Sequence, residues 1–313
     1  MSENKKLTPL KFLTDTMEMP WGRVEYLLAD LGFVDSMAAE GWLGGNNLSD
    51  LMQTYLERLV GETSFDWYGT QFPVLVKRLK IEGRTSLHVN PADEDAEQRY
   101  DAFGKTALWY VQEAGPKAKL FLGFKKAVSA ADFYKACMDG TVEDLLHVVR
   151  PKAGESYLIT PGMVHAAQDV TLLEIAEASE LWFRLHDWDR EGREIHLEEA
   201  FDLVDMGQWK KQSPKEGDTL AAEDHFTVNK IALDQPLKSH RDEEDTFLLY
   251  YCLNGSAVLQ ADKVNYNVKA GELILVPAEV GDFFLMPAES ATVLLEVRMD
   301  PREDNDIVSE EAE

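Results

Sequence analysis

Two stretches constrain this chain more than any other feature. Residues 152–166 read KAGESYLITPGMVHA, and residues 269–282 read KAGELILVPAEVGD. Each has Lys-Ala-Gly-Glu, an apolar run, a Pro, and a Val three positions after the Pro. The Gly suits a tight turn, the apolar run suits a short buried strand, and the Pro ends it. Strands rich in β-branched and aromatic residues flank both copies, which predicts a mainly β chain of two small jelly-roll barrels. The first copy continues into His165, whereas the second has Gly281 there. One barrel mouth is therefore expected to carry chemistry and the other to serve as a packing partner.

At 313 residues the chain suggests two domains. WGRVEYLLADLG, from Trp21, reads as a helix or turn closing at Gly32. NNLSDLMQTYLERLVG, from Asn46, reads as a helix capped by Asn47 or Ser49 and stopped by Gly61. Strands are expected from Phe72, from Thr85, and from Lys105 through Phe124. A helical insert in two pieces, broken at Gly140, is expected to start at the N-cap Ser129. Strands resume after Pro151, HLEEAFDLVDM reads as a helix, and the polar stretch 210–223 reads as a linker. The expected organisation is residues 1–215 as a barrel with the helical insertions and the pocket, and 216–300 as a structural barrel. The acidic residues 301–313 read as a disordered tail.

The formal net charge of −26 argues against nucleic acid or an anionic membrane surface as partner, since both repel such a field. Cys137 and Cys252 form no metal-like or disulfide spacing and read as small core residues. MSENKKLTPLKFL lacks the apolar core of a signal peptide, and no apolar run approaches the ~18 residues of a membrane span. A cytoplasmic protein is expected. The sequence does not define an oligomeric state.

His88 and Asn90, two apart in LHVNP, share one strand face. With His165 they form a candidate metal site, because neutral imidazole suits zinc and similar divalent ions. The second barrel offers only His240 and Asp242. Lys77, Lys105 and Arg184 sit within or beside apolar strands, where an unpaired charge is costly. Either they form internal ion pairs or snorkel, or they converge on a phosphate or other anionic ligand. His186 shares the face of Arg184 only if their strand is regular. His147, His196, His225 and His240 read as surface, capping or core residues, and Trp109, Tyr110, Trp182 and Phe183 as core.

The stretches PWGRVEYLLADLG, FPVLVKRL, TSLHVNPAD, GKTALWYV, PGMVHA and LLEIAEASELWFRLHDWDR, with the trailing barrel, resemble the type I mannose-6-phosphate isomerase family of the cupin superfamily. The resemblance covers nearly the whole chain. It implies two cupin barrels with helical insertions attached to the first. It also implies an aldose–ketose isomerase of carbohydrate metabolism, interconverting mannose 6-phosphate and fructose 6-phosphate or a related sugar phosphate. In that family a catalytic zinc is held by Gln and His of Gln-Val-His-Pro, Glu of Gly-Lys-Thr-Glu, and His of Val-His-Ala. The matching positions here are His88, Asn90, Ala107 and His165, so only the last is kept. The resemblance further implies catalytic roles for Lys105 and Arg184, and substrate-binding roles for Lys77, Glu174 and Arg190. With the carboxylate gone, zinc or another divalent metal on His88, His165 and Asn90 is expected to be weakly held or absent. Two functions stand open: a sugar-phosphate isomerase, or a catalytically impaired relative that binds a sugar phosphate in a regulatory or structural role.

Overall fold

A computed structural model describes residues 5–188, 190–211, 217–242 and 245–299. The chain is mainly β. It divides into two compact units, each assembled from separated stretches. One gathers Phe12–Asp50 and Gln71–Ala221; the other gathers Met1–Lys11, Leu51–Thr70 and Ala222–Glu313. The short helices Glu57–Val60 and Glu62–Tyr68 thus group with the C-terminal strands, although they precede most N-terminal strands in sequence. The tail 301–313 and part of the expected linker, 212–216, lie outside the described residues. The rest of that linker is not all loop, because Thr219–Ala222 is a strand. No helix of the described residues is long and apolar enough to cross a membrane.

The pocket-bearing unit is a nine-stranded sheet. Its strands are β1 (Asp15–Met19), β2 (Gly22–Leu28), β3 (Val74–Arg84), β4 (Leu87–Val89), β5 (Ala107–Phe124), β6 (Leu146–Val149), β7 (Ser156–Ile159), β8 (His165–Glu177) and β9 (Phe183–His186). The path runs β1-β2-β3-β8-β4-β9, and β5 pairs with β6, β7 and β8. Trp21, Tyr26, Leu79, Trp109 and Leu172 belong to one buried cluster. A second cluster holds Phe121, Phe124, Phe133, Val164 and Leu185.

The helix or turn expected at Trp21–Gly32 is instead a hairpin strand. Val24, Tyr26 and Leu28 are buried, but so are Leu27 and Ala29, and this continuous apolar run does not distinguish strand from helix. Pairing with β3, from Gly22↔Ile81 to Leu28↔Val76, decides it. At the hairpin's start Gly22 has φ 141°, and an added Cβ would lie 2.0 Å from the Lys80 carbonyl oxygen. Gly22→Ala is expected to cost about 2 kcal/mol in chemical denaturation. A change within 0.5 kcal/mol would show that the backbone relaxes.

The helix expected from Asn46 spans Leu48–Tyr55, breaks at Leu56 (φ 48°), and resumes over Glu57–Val60. Gly61 ends it, donating its N–H to the Glu57 carbonyl. Its first turn is held from outside the expected caps. Asp35 accepts the Ser49 N–H at 3.2 Å and the Ser49 hydroxyl at 2.5 Å. Ser129 does cap Ala130–Met138, accepting the Asp132 N–H. HLEEAFDLVDM gives only the short helix Leu197–Ala200 and a 3₁₀ turn.

The repeated Lys-Ala-Gly-Glu folds identically in its two places. In each, the Gly sits at positive φ, 90° at Gly154 and 86° at Gly271. The Glu N–H donates to the Lys carbonyl, and the Glu carboxylate accepts the Lys N–H at 2.9 Å. The strands Ser156–Ile159 and Leu273–Val276 follow. In the second unit, Thr227–Leu233, Thr292–Arg298, Leu248–Asn254 and Leu273–Val276 lie side by side in that order. Leu237–Ser239, Phe283–Pro287, Ser256–Ala261 and Val264–Lys269 form another sheet.

Candidate active site

Strand β8 organises the site because three neighbours register against it. Lys77 of β3 and Trp109 of β5 both face Glu174 across the sheet, and His88 of β4 faces His165. His165 and Glu174 are nine residues apart, so strict alternation would send them to opposite faces. Both nevertheless line one cavity. The alternation is reset between them at Asp169, which sits in left-handed backbone at φ 49°. Its carboxylate accepts the Lys117 N–H at 2.7 Å, and a Cβ at Gly115 would come within 2.3 Å of it.

The cavity measures about 110 Å³. Lys77, His88, Asn90, Lys105, His165 and Glu174 line it, against a wall of Tyr26, Leu79, Trp109 and Trp182. That volume is several times the ~10–15 Å³ one water needs, so these polar groups are not forced to stay dry. Trp109 and Trp182, expected as core, face the cavity. Trp109 donates its indole N–H to Glu174 at 2.7 Å, and Trp182 packs edge-on to His88 with centroids 5.4 Å apart.

The two imidazoles are fixed in one tautomer each. His88 Nδ1 lies 2.9 Å from the Ser86 carbonyl, and His165 Nδ1 lies 2.8 Å from the Met163 carbonyl. A carbonyl only accepts, so each Nδ1 carries the proton and each Nε2 keeps its lone pair. The ring centroids are 4.0 Å apart. Burial lowers the His88 pKa to about 4. Burial, then the neighbouring His88, lowers that of His165 well below the ordinary value. Both rings are neutral near pH 7.

The lysines are not free cations. Lys77 pairs with Glu174 at 3.1 Å and with Glu180, and Lys105 pairs with Glu174 at 3.2 Å and Glu180 at 3.7 Å. Two positive and two negative side chains form one buried quartet. Burial pushes the Glu174 carboxyl up, but Lys105, Lys77 and the Trp109 N–H outweigh it and hold it well below the usual range. Burial likewise opposes charge on Lys77, and Glu174 and Glu180 more than reverse it. Asn90 is buried and donates weakly, at 3.4 Å, to the Lys105 carbonyl.

Arg184 and Arg190 lie beside the cavity rather than on its lining. Arg184 donates to Ser86 Oγ at 3.1 Å and to the Glu194 carbonyl at 2.6 Å, and stacks over Trp182 at 4.9 Å. Arg190 donates to the Arg84 carbonyl at 2.6 Å and to Asp187 at 2.5 Å. The arginine that does line the cavity is Arg193. His186 packs on Trp188, and His147 stacks on Trp209, both away from the lining. Sequence reading missed Glu180 and Arg193. Glu180 follows the long strand β8 and Arg193 the short strand β9, and no local pattern marks either.

The donor set does not complete a zinc site. Two Nε2 lone pairs suit a divalent ion, but Ala107 supplies nothing, and Glu174 is engaged by two lysines and an indole. Among the described residues, no three His, Cys, Asp or Glu donor atoms within 4.8 Å of one another include these two rings. Catalytic zinc takes three protein ligands.

The family model described as the cupin domain of mannose-6-phosphate isomerase matches residues 216–288. GmuF of Bacillus subtilis (strain 168), described as a probable mannose-6-phosphate isomerase, is 29% identical over 230 residues, covering 69% of this chain and 72% of that protein. The mannose-6-phosphate isomerase ManA of the same organism is 26% identical over 310 residues, covering 88% and 95%. A crystal structure of the B. subtilis mannose 6-phosphate isomerase is similar in fold, with TM-score 0.81 at 22% identity over 93% of this chain and all of that one. A zinc-bound mannose 6-phosphate isomerase structure gives 0.75 at 15% identity. Strands, cavity and likenesses together define a cupin-like protein. The cupin-domain match and these likenesses support a relationship to the type I mannose-6-phosphate isomerases.

Proposed function

We propose that the chain is a sugar-phosphate-binding mannose-6-phosphate isomerase relative, built as two cupin barrels, whose aldose–ketose turnover is slow because its metal centre is incomplete. The loss at position 107 carries this reading: Ala107 stands where the resemblance expects a carboxylate, and no other carboxylate of the cavity is free to replace it. The sugar end of the reading rests on the cavity's polar lining and on the relatives' names.

Interconverting an aldose and a ketose moves a proton between C1 and C2 through an enediol. It needs a base and a group that stabilises the developing oxyanion. His88 and His165 present two unprotonated Nε2 atoms, suited to accept hydroxyl protons from a bound sugar. Lys105 presents an ammonium, but Glu174 and Glu180 already draw on its charge, which leaves less for an enediolate. The same observation favours a second reading, a non-catalytic binder of sugar phosphate. The purified chain is expected to hold clearly less than one zinc per chain and to isomerise mannose 6-phosphate well below the ~10 s⁻¹ of an ordinary enzyme. Stoichiometric zinc together with turnover at that rate would overturn the reading. Tight sugar-phosphate binding with no turnover would select the second.

A further inference from the structure

The four acids and bases of the quartet cancel, while the cavity's other side carries an excess of positive charge. Among the described residues, Arg184, Arg190 and Arg193 gather around Asp187, and Glu194 is the other carboxylate acting on Arg184. Asp187 Oδ1 accepts both the Ser86 hydroxyl and an Arg190 N–H at 2.5 Å, while Oδ2 is buried without a hydrogen bond among the described residues. Arg193 reaches it only at 3.8 Å, through Nε. Among the described residues this is the sole carboxylate within 4.0 Å of the Arg193 guanidinium, which lines the cavity and is one-quarter exposed. Arg184 spends its donors on Ser86 Oγ and a backbone carbonyl, neither of which carries charge.

We propose that the phosphate of a bound sugar phosphate is held at Arg193, on the Arg184 side of the cavity, and that Glu180 closes the lysine pair to it. An anion approaching Lys77 or Lys105 meets Glu174 and Glu180 first, at like charge and in a buried setting. An anion at Arg193 meets unspent guanidinium donors in a fork that matches phosphate oxygens. The sugar hydroxyls then fall towards the quartet and the two histidines, where neutral, mixed donors and acceptors suit them. Arg184 supports the corner electrostatically. Burial, followed by repulsion from Arg193 and Arg190, disfavours its charged form when no anion is bound.

This inference rests on the sugar-phosphate reading above, and calorimetry with two ligands separates the two. Mannose 6-phosphate and unphosphorylated mannose are titrated into the full chain, and their affinity ratio reports the phosphate contact. In Arg193→Ala the ratio is expected to fall about tenfold or more, with mannose itself unaffected. Lys77→Met combined with Glu180→Gln removes one charge of each sign, which keeps the buried quartet balanced and the chain folded. In that variant the ratio is expected to stay within about twofold, whatever happens to the sugar affinity. A ratio that collapses in the double variant, alone or along with Arg193→Ala, overturns the assignment and returns the phosphate to the lysines. An unchanged ratio in Arg193→Ala also overturns it. If mannose 6-phosphate does not bind the unaltered chain at millimolar concentration, both the inference and the sugar-phosphate reading fail.

Discussion

Glu174→Gln is expected to destabilise the protein by about 3–5 kcal/mol, the usual cost of removing one partner from a buried ionic network. Glu174 is 6% exposed and shares its charge with Lys77 and Lys105. The amide can still accept the Trp109 N–H, so packing and shape are nearly kept. What changes is the balance, because two buried ammonium groups are left with Glu180 alone. Adding Lys77→Met to the same chain removes the surplus charge and is expected to recover more than 1 kcal/mol, read as a coupling energy in a double-mutant cycle. The pH dependence has a definite sign. The folded carboxyl titrates well below its unfolded value of about 4.3, so its stabilisation is full above that pH and is lost as pH falls through the folded value. The gap between wild type and Glu174→Gln should therefore narrow as pH drops below about 4. A single variant within 1 kcal/mol of wild type in urea at pH 7, or no recovery in the double variant, would mean that solvent reaches the quartet and screens it.

The quartet also marks where the sequence stops being informative. Lys-Ala-Gly-Glu was readable because its whole geometry is local: a positive-φ Gly and a Glu side chain folding back on the Lys N–H, within four residues. His88 and Asn90 were readable because spacing of two on a short strand fixes one face. Lys77 and Lys105 stood out as cations in apolar surroundings, but whether they were free or paired was not legible. That depends on the β3–β8 register, which puts Lys77 opposite Glu174, and on Glu180, which arrives from a loop 103 positions away in sequence. The kink at Asp169 was illegible for a similar reason. An Asp in a strand does not reveal that its backbone is left-handed, yet without that break His165 and Glu174 would not share a cavity. The hairpin from Gly22 was misread because its apolar run suits two periods equally, and only the partner strand decides between them.

Asn90→His combined with Ala107→Glu is expected to convert the pocket into a zinc site, raising zinc affinity by well over the ~10–100-fold that a supporting hydrogen bond alone provides. The starting set is two imidazoles with free Nε2 atoms; the variant adds a third imidazole and a carboxylate. Position 107 is suited to the task. Ala107 is buried, belongs to the same cluster as Trp109, and lies two residues from it on β5, hence on the face that meets His165 and Glu174. Without metal the new carboxylate is a burial cost, since Lys77 and Lys105 are already matched by Glu174 and Glu180. With zinc that cost is reversed, because the ion's double charge is met by one formal negative charge where the present chain offers none. Zinc should therefore raise the melting temperature of the variant in proportion to the logarithm of its concentration and leave the parent nearly unmoved. Isomerase activity on mannose 6-phosphate should rise with zinc occupancy in the variant, and His88→Gln, tested separately, shows whether a third imidazole hinders it. Equal zinc-dependent stabilisation in parent and variant would mean that the unaltered pocket already binds the ion through a ligand other than the carboxylate lost at position 107, and the explanation of low turnover would have to be sought in the lysine–glutamate quartet.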